Sequence, residues 1–199
     1  MVVNIGDKPQ ADFSQPIELM MDCHRRIERF LFNLQKVSRT SNAASLDDAH
    51  REALRSALDY FTQAGPRHNQ DEEASLFPAL KEINNSEAQA AVTRMMELAG
   101  EHRHAEQIHK RIDDLGRQWL AEGRIGPDEL HEFGGLVEQL IKLYQPHIAM
   151  EEREIFPLAA RMLAPHTIAG IGEQMRLRRI VNPGREGSAC SKRRKSNQI

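Results

Sequence analysis

His147 to Leu158 reads HIAMEEREIFPL, and 79 residues earlier His68 to Leu80 reads HNQDEEASLFPAL. Both stretches follow one pattern, His-x-x-x-Glu-Glu-x-x-(Leu or Ile)-Phe-Pro. On a helix, residues four apart lie one above the other on the same face. His68 with Glu72, and His147 with Glu151, therefore present a ring nitrogen and a carboxylate oxygen together, which is half a metal site written twice. Counting back from each copy reaches His24 and His102, 78 residues apart and each followed by Arg. The chain reads as two copies of one unit, a single His and then His-x-x-x-Glu.

Each of these donors sits in an apolar seam with helical spacing. Helix A is expected to start at Pro16, with a seam of Ile17, Met20, His24, Ile27, Leu31 and Leu34. After a polar connection, Ser38 to Ala44, the pair Ser45 and Asp48 resembles a cap. Helix B then runs through Leu54, Leu58, Phe61, His68, Glu72, Leu76 and Leu80, bent at Gly65-Pro66 and again at Pro78 because proline lacks an N–H and clashes with the preceding turn. Asn84-Asn85 marks a turn, and Ser86 with Gln89 reads as a capping box for helix C. That helix carries Met95, Leu98, His102, Ala105, His109, Ile112 and Trp119 and ends near Gly123. Gly126-Pro127 opens helix D, with Phe133, Val137, Leu140, Tyr144, His147, Glu151, Ile155 and Leu158 in one stripe that fades at Leu163 to Pro165. Four long amphipathic helices with short links predict an all-α, up-down-up-down four-helix bundle over 16–164, preceded by a loose lead-in, 1–15.

Composition agrees with helices, since aromatic residues make up only 5% of the 199 residues and Leu, Ala, Met and Glu dominate the long segments. Two cysteines, Cys23 and Cys190, cannot form a disulfide framework. No secretory leader pattern opens the chain and no run approaches the roughly 18 apolar residues of a membrane span, so a reducing, cytoplasmic setting is expected. Charge is uneven. The net value is −2, but Arg176 to Ile199 holds eight basic residues and one acidic, which leaves the remainder at −9. Residues 165–199, ending with the run Lys192-Arg193-Arg194-Lys195, are read as a disordered basic tail able to meet an anionic partner.

A carboxylate in an apolar core costs several kcal/mol unless it is paired, and two of them among four imidazoles are not packing residues. Coordination offsets that cost. A nitrogen and oxygen donor set without thiolate suits Fe, Mn or Zn and argues against an iron-sulfur cluster. One ion can take His24 and His68, a second His102 and His147, with Glu72 and Glu151 bridging. Glu28 and Glu106 also follow a seam histidine by four residues; they are exposed flank acids or, for Glu106 above all, an extra ligand. Glu73 and Glu152 are turned about 100° from the seam, outside the donor set. Tyr144 is placed to donate a hydrogen bond towards a metal-bound ligand, or simply to pack.

This arrangement resembles the hemerythrin-like, or HHE cation-binding, proteins, whose signature is His on helix A, His-x-x-x-Glu on B, His on C and His-x-x-x-Glu on D. The likeness covers about Pro16 to Ala164 and implies a non-haem di-iron centre that meets O2, NO or peroxide in sensing, scavenging or iron handling. Two departures narrow it. Oxygen-carrying hemerythrins have His-x-x-x-His on helix C, where this chain has Glu106, so the site is closer to those of the repair-of-iron-centres proteins and other bacterial HHE domains. Those repair proteins usually carry an N-terminal cysteine-bearing domain, whereas about 15 residues precede helix A here. Catalytic turnover of peroxide or NO, or a metal-folded interaction module using the basic tail, are the alternative implications.

Overall fold

A computed structural model of the chain describes residues 11–40 and 45–181. The proline that opens the first seam also opens the first helix, α1, Pro16–Thr40, because its missing N–H has no intrahelical partner at that position anyway. Helix α2, Asp48–Gln63, is capped by Asp47, whose Oδ1 accepts from the His50 N–H at 2.7 Å. The expected pair Ser45 and Asp48 does not cap it. A cap must be extended and adjacent to the first turn, as Asp47 is, while Ser45 lies further out in a bridge to Arg124. At Ala64 the expected single helix divides in two: α2 ends at Gln63 and α3, Gly65–Asp71, follows, joined through Ala64, whose N–H donates to Tyr60 O and whose carbonyl accepts from the His68 N–H.

Past α3 the backbone does something the sequence did not announce. Glu72–Leu76 forms a π-helical turn before α4, Phe77–Lys81. The repeat does the same, with a π-helical turn over Glu151–Ile155 between α6, Pro127–Met150, and α7, Phe156–Met162. Both turns precede a Phe-Pro pair. In a regular helix the rings of Pro78 and Pro157 would collide with the carbonyl four residues back. Widening the turn by one residue relieves that clash, and Phe77 and Phe156 donate instead to the carbonyls of Glu72 and Glu151. The bend expected at Pro78 is thus an expansion, placed where the repeated glutamates stand, and such bulges are frequent at functional sites.

Helix α5, Ser86–Glu122, is capped by Asn85, whose Oδ1 accepts from the Glu87 N–H at 2.8 Å. The Ser86 and Gln89 box is not formed, since Ser86 is already helical and Gln89 Nε2 donates to the Ile83 carbonyl at 3.1 Å. The helix ends at Gly123, whose φ of 74° is in the left-handed region that glycine enters without penalty. Gly126 N–H then donates to Glu129 Oε2 at 3.0 Å, fixing the start of α6.

Side-chain pairs show that neighbouring rods run antiparallel. Arg117 meets Asp59 and His102 meets Glu73 across the second and third rods; Arg111 meets Glu132 and His147 meets Glu101 across the third and fourth. Arg39 with Glu138 and Arg25 with Glu152 close the fourth rod onto α1. The protein is an all-α bundle, and the described residues contain no strand. Its interior has two apolar clusters. One is built around Leu34, Leu54, Leu58, Trp119, Phe133 and Val137, the other around Met20, Leu76, Leu80, Met95, Ile155 and Phe156. Four buried histidines and two buried glutamates lie between them along the rods.

The disordered reading of 165–199 is corrected for its first half. Pro165–Val181 is a helix, α8, packed on α1, α3 and the first π-helical turn. Ile171 and Met175 enter the second apolar cluster. Arg178 and Arg179 each reach the fully buried Asp71 at 2.8 Å. Those arginines, read as solvated tail charges, are held by a carboxylate on a distant rod that their own segment does not reveal. Residues 182–199, including the basic run, and residues 1–10 of the lead-in lie outside the described residues. No helix among the described residues is long and apolar enough to cross a membrane.

Candidate metal centre

One seam residue from each rod converges on the layer between the apolar clusters, and the π-helical turns swing in a glutamate from the second and fourth. His24, His68, Glu72 and Glu151 form one group whose ligand atoms lie within 4.8 Å of one another, and Glu72, His102, His147 and Glu151 form a second. The two carboxylates belong to both groups. Glu72 Oε1 stands 3.3 Å from His68 Nε2, while its Oε2 stands 3.4 Å from His102 Nε2. Glu151 Oε2 stands 3.1 Å from His24 Nε2, and its Oε1 stands 3.3 Å from His147 Nε2. Each carboxylate therefore turns one oxygen to each group.

These atoms fit cations better than they fit one another. All four oxygens of Glu72 and Glu151, and His24 Nε2, are buried without a hydrogen-bond partner, a cost of about 1–3 kcal/mol per group, and more for charged ones, that folds rarely tolerate. His102 Nε2 and His147 Nε2 lie 3.0 Å apart. Two donors in adjacent positions about 2.1 Å from one ion are separated by about the same distance. Electrostatics points the same way. Burial, reinforced by the neighbouring Glu151, drives the Glu72 carboxyl well above its ordinary range. Burial also pushes Glu151 up, but His147 and His24 more than reverse it and hold it below the carboxylate range. His68 is pushed well below its ordinary value by burial and then by His24. Two carboxylates so close cannot both stay ionised without compensating positive charge.

Outside the donor atoms, carboxylates hold the rings. Nδ1–H of His24 donates to Glu152 Oε1 at 3.0 Å, that of His102 to Glu73 Oε1 at 2.7 Å, and that of His147 to Glu101 Oε2 at 2.8 Å. Each bond fixes the tautomer with the Nε2 lone pair turned inward. Glu152 is itself held by Arg25 at 2.6 Å. The residues set about 100° off the seam thus act across to the neighbouring rod. The only sequence signal for Glu101 is its place directly before a seam histidine, as Glu73 and Glu152 stand directly after a seam glutamate.

The remaining candidates lie elsewhere. Glu28 and Glu106 are exposed and belong to neither group. The inward position after His24 and His102 comes three residues on, at Ile27 and Ala105, so the residue four on is turned to the flank. Tyr144 is buried, sets its ring edge on to His147, and its hydroxyl lies 3.1 Å from His109 Nε2. Burial, aided by Glu72 and Glu151, raises the Tyr144 phenol and keeps it protonated, while burial lowers His109 to about 4 and keeps it neutral. Both side chains line a cleft of about 470 Å³ with Gly65, Glu73, His102 and Glu106, so that His102 borders it from the centre. His104, His131 and His166 are exposed, and His50 pairs with Asp47.

With this geometry in place, the relatives agree. The family model for the hemerythrin HHE cation-binding domain matches residues 15–159, so the chain belongs to that family, whose domain binds metal cations. An uncharacterised protein of Haemophilus influenzae is 27% identical over 171 residues, covering 86% of this chain and 94% of that one. The His and Glu clusters described above could hold a metal.

Proposed function

We propose that the chain is a non-haem di-iron protein whose centre binds or reacts with O2, NO or peroxide, in sensing, scavenging or iron handling within a reducing, cytoplasmic setting. His24 and His68 would hold one iron and His102 and His147 the other, with Glu72 and Glu151 each able to offer an oxygen to either. The observation that supports this reading is that both carboxylates are wholly buried, free of hydrogen bonds, and turned so that each offers one oxygen to each half. Donors of nitrogen and oxygen without thiolate suit iron, and also Mn or Zn. When bound, iron supplies a redox-active Lewis acid with coordination positions left over for a small ligand.

The protein's own part is positioning and selection. Glu152, Glu73 and Glu101 orient three of the imidazoles. Apolar clusters on both sides of the layer exclude bulk water. The cleft by Gly65 and Tyr144 admits a small ligand, and the protonated Tyr144 hydroxyl is a donor beside His147. Protein purified anaerobically is expected to carry two irons per chain and to change its near-ultraviolet and visible spectrum on exposure to O2 or NO. A folded preparation that takes up no iron, or one that binds it with no response to O2, NO or peroxide, refutes the proposal. Many turnovers per centre, rather than one stoichiometric oxidation, would define it as an enzyme.

A further inference from the structure

The pseudo-repeat extends to the groups behind the histidines, and there it is incomplete. Glu73 and Glu152 are equivalent positions, each following a repeated glutamate, and they anchor His102 and His24. Glu101, which precedes His102, anchors His147. Its equivalent, the residue preceding His24, is Cys23, a buried thiol. The ring that an acid at this place would serve is His68, whose Nδ1 is buried without a hydrogen-bond partner. Three imidazoles are therefore locked by a carboxylate and the fourth is not.

We infer that the two metal positions are unequal, with the doubly anchored His102 and His147 position binding a divalent cation first and more tightly than the His24 and His68 position. This rests on the metal reading above. A carboxylate on Nδ1 does two things for a ligating histidine: it fixes the tautomer that leaves Nε2 free, and it raises the basicity of that nitrogen. His102 and His147 have both advantages, from Glu73 and Glu101. In the other half His24 has them from Glu152, and His68 must select its tautomer and orientation unaided. Losing such an outer partner typically weakens metal binding by about 10- to 100-fold, which sets the expected gap between the two steps.

Anaerobic titration of the metal-free full chain with Co(II), followed by visible absorption and calorimetry, tests this, and Fe(II) gives the stoichiometry for iron. Two steps are expected, the first complete before the second develops. Repulsion between two ions would also separate the steps, so the assignment comes from variants. Glu101→Ala should weaken the first step by about 10- to 100-fold and change the cobalt spectrum of that step. Glu101→Gln, which keeps an acceptor without the charge, should restore part of the loss. Glu152→Ala should leave the first step in place and weaken the second. Glu101 and Glu152 lie at the rim, with side chains 43% and 20% exposed, so their replacement leaves the buried donors and the apolar clusters intact. Two equal steps in the unaltered chain, or Glu101→Ala acting on the second step alone, overturn the inequality while leaving the metal reading in place. No uptake of Co(II) or Fe(II) overturns both.

Discussion

The two copies of the repeat share what faces inward and differ in what covers them outside. His68, Glu72, Phe77 and Pro78 recur as His147, Glu151, Phe156 and Pro157, with the same π-helical turn in each. Asp71 and Ser75 of the first copy stand where the second has Met150 and Glu154. The first pair is buried beneath α8, with Arg178 and Arg179 on Asp71 and Arg178 on Ser75. Glu154 of the second copy is exposed and pairs with Arg94 at the surface. One turn before the ligand histidine the copies differ again, Gly65 in one and Tyr144 in the other, and the cleft forms between these unequal sides. Residues held in common are those an ion would require, while those that differ follow from which copy is covered and which is approached.

The largest break in this comparison is expected at the shared residues. Glu72→Ala and Glu151→Ala should each lose bound metal in both halves, since each carboxylate faces both groups, a loss above the roughly 10- to 100-fold of an outer-partner change; metal content after gel filtration reads it. A residue serving one half alone would instead leave one ion per chain.

Next come the covered residues. Arg178→Ala with Arg179→Ala strands a fully buried carboxylate, and about 3–5 kcal/mol of stability against urea should be lost, with Asp71→Asn in the same background recovering part of it. The corresponding change in the second copy, Arg94→Ala, breaks a pair whose side chains are 46% and 43% exposed and should cost less than about 1 kcal/mol.

The side carrying Tyr144 should respond to acid. His109 is neutral in the folded chain down to about 4, whereas in the unfolded chain it takes up a proton below about 6.5. Between those values the unfolded state binds more protons, so stability falls as the pH drops, and above the upper value this term is flat. The loss should total on the order of 3 kcal/mol, and His109→Phe should flatten the profile of urea midpoint against pH.

A smaller effect is expected where α8 crosses the lead-in. A Cβ on Gly172 would stand 1.9 Å from the Phe13 carbonyl oxygen, so Gly172→Ala must shift α8 and should cost about 1–3 kcal/mol, seen as faster proteolysis after residue 164.

Much of the centre was legible in the sequence because its signals are local. The six converging donors repeat at fixed spacing within helical seams, and Pro16, Gly123 and Gly126-Pro127 mark helix ends by their own backbone chemistry. Other features were hidden. Ile171 and Met175 are too few to announce α8, whose docking depends on a carboxylate a hundred residues away in sequence. The pair Ser86 and Gln89 looked like a cap, but Asn85 had the extended backbone that a cap needs. Glu28 and Glu106 repeated the four-residue spacing without the inward phase that Ile27 and Ala105 had taken.

By itself the sequence determined four amphipathic rods, their order, and the residues offered to a common layer, because helical phase depends only on neighbours three and four positions away. Tertiary structure alone decided that each of the two carboxylates turns one oxygen to each half, that Glu101 steadies His147 while His68 goes unanchored, and that α8 closes over one copy. Those outcomes depend on how rods far apart in the chain are set against each other, and only packing fixes that register.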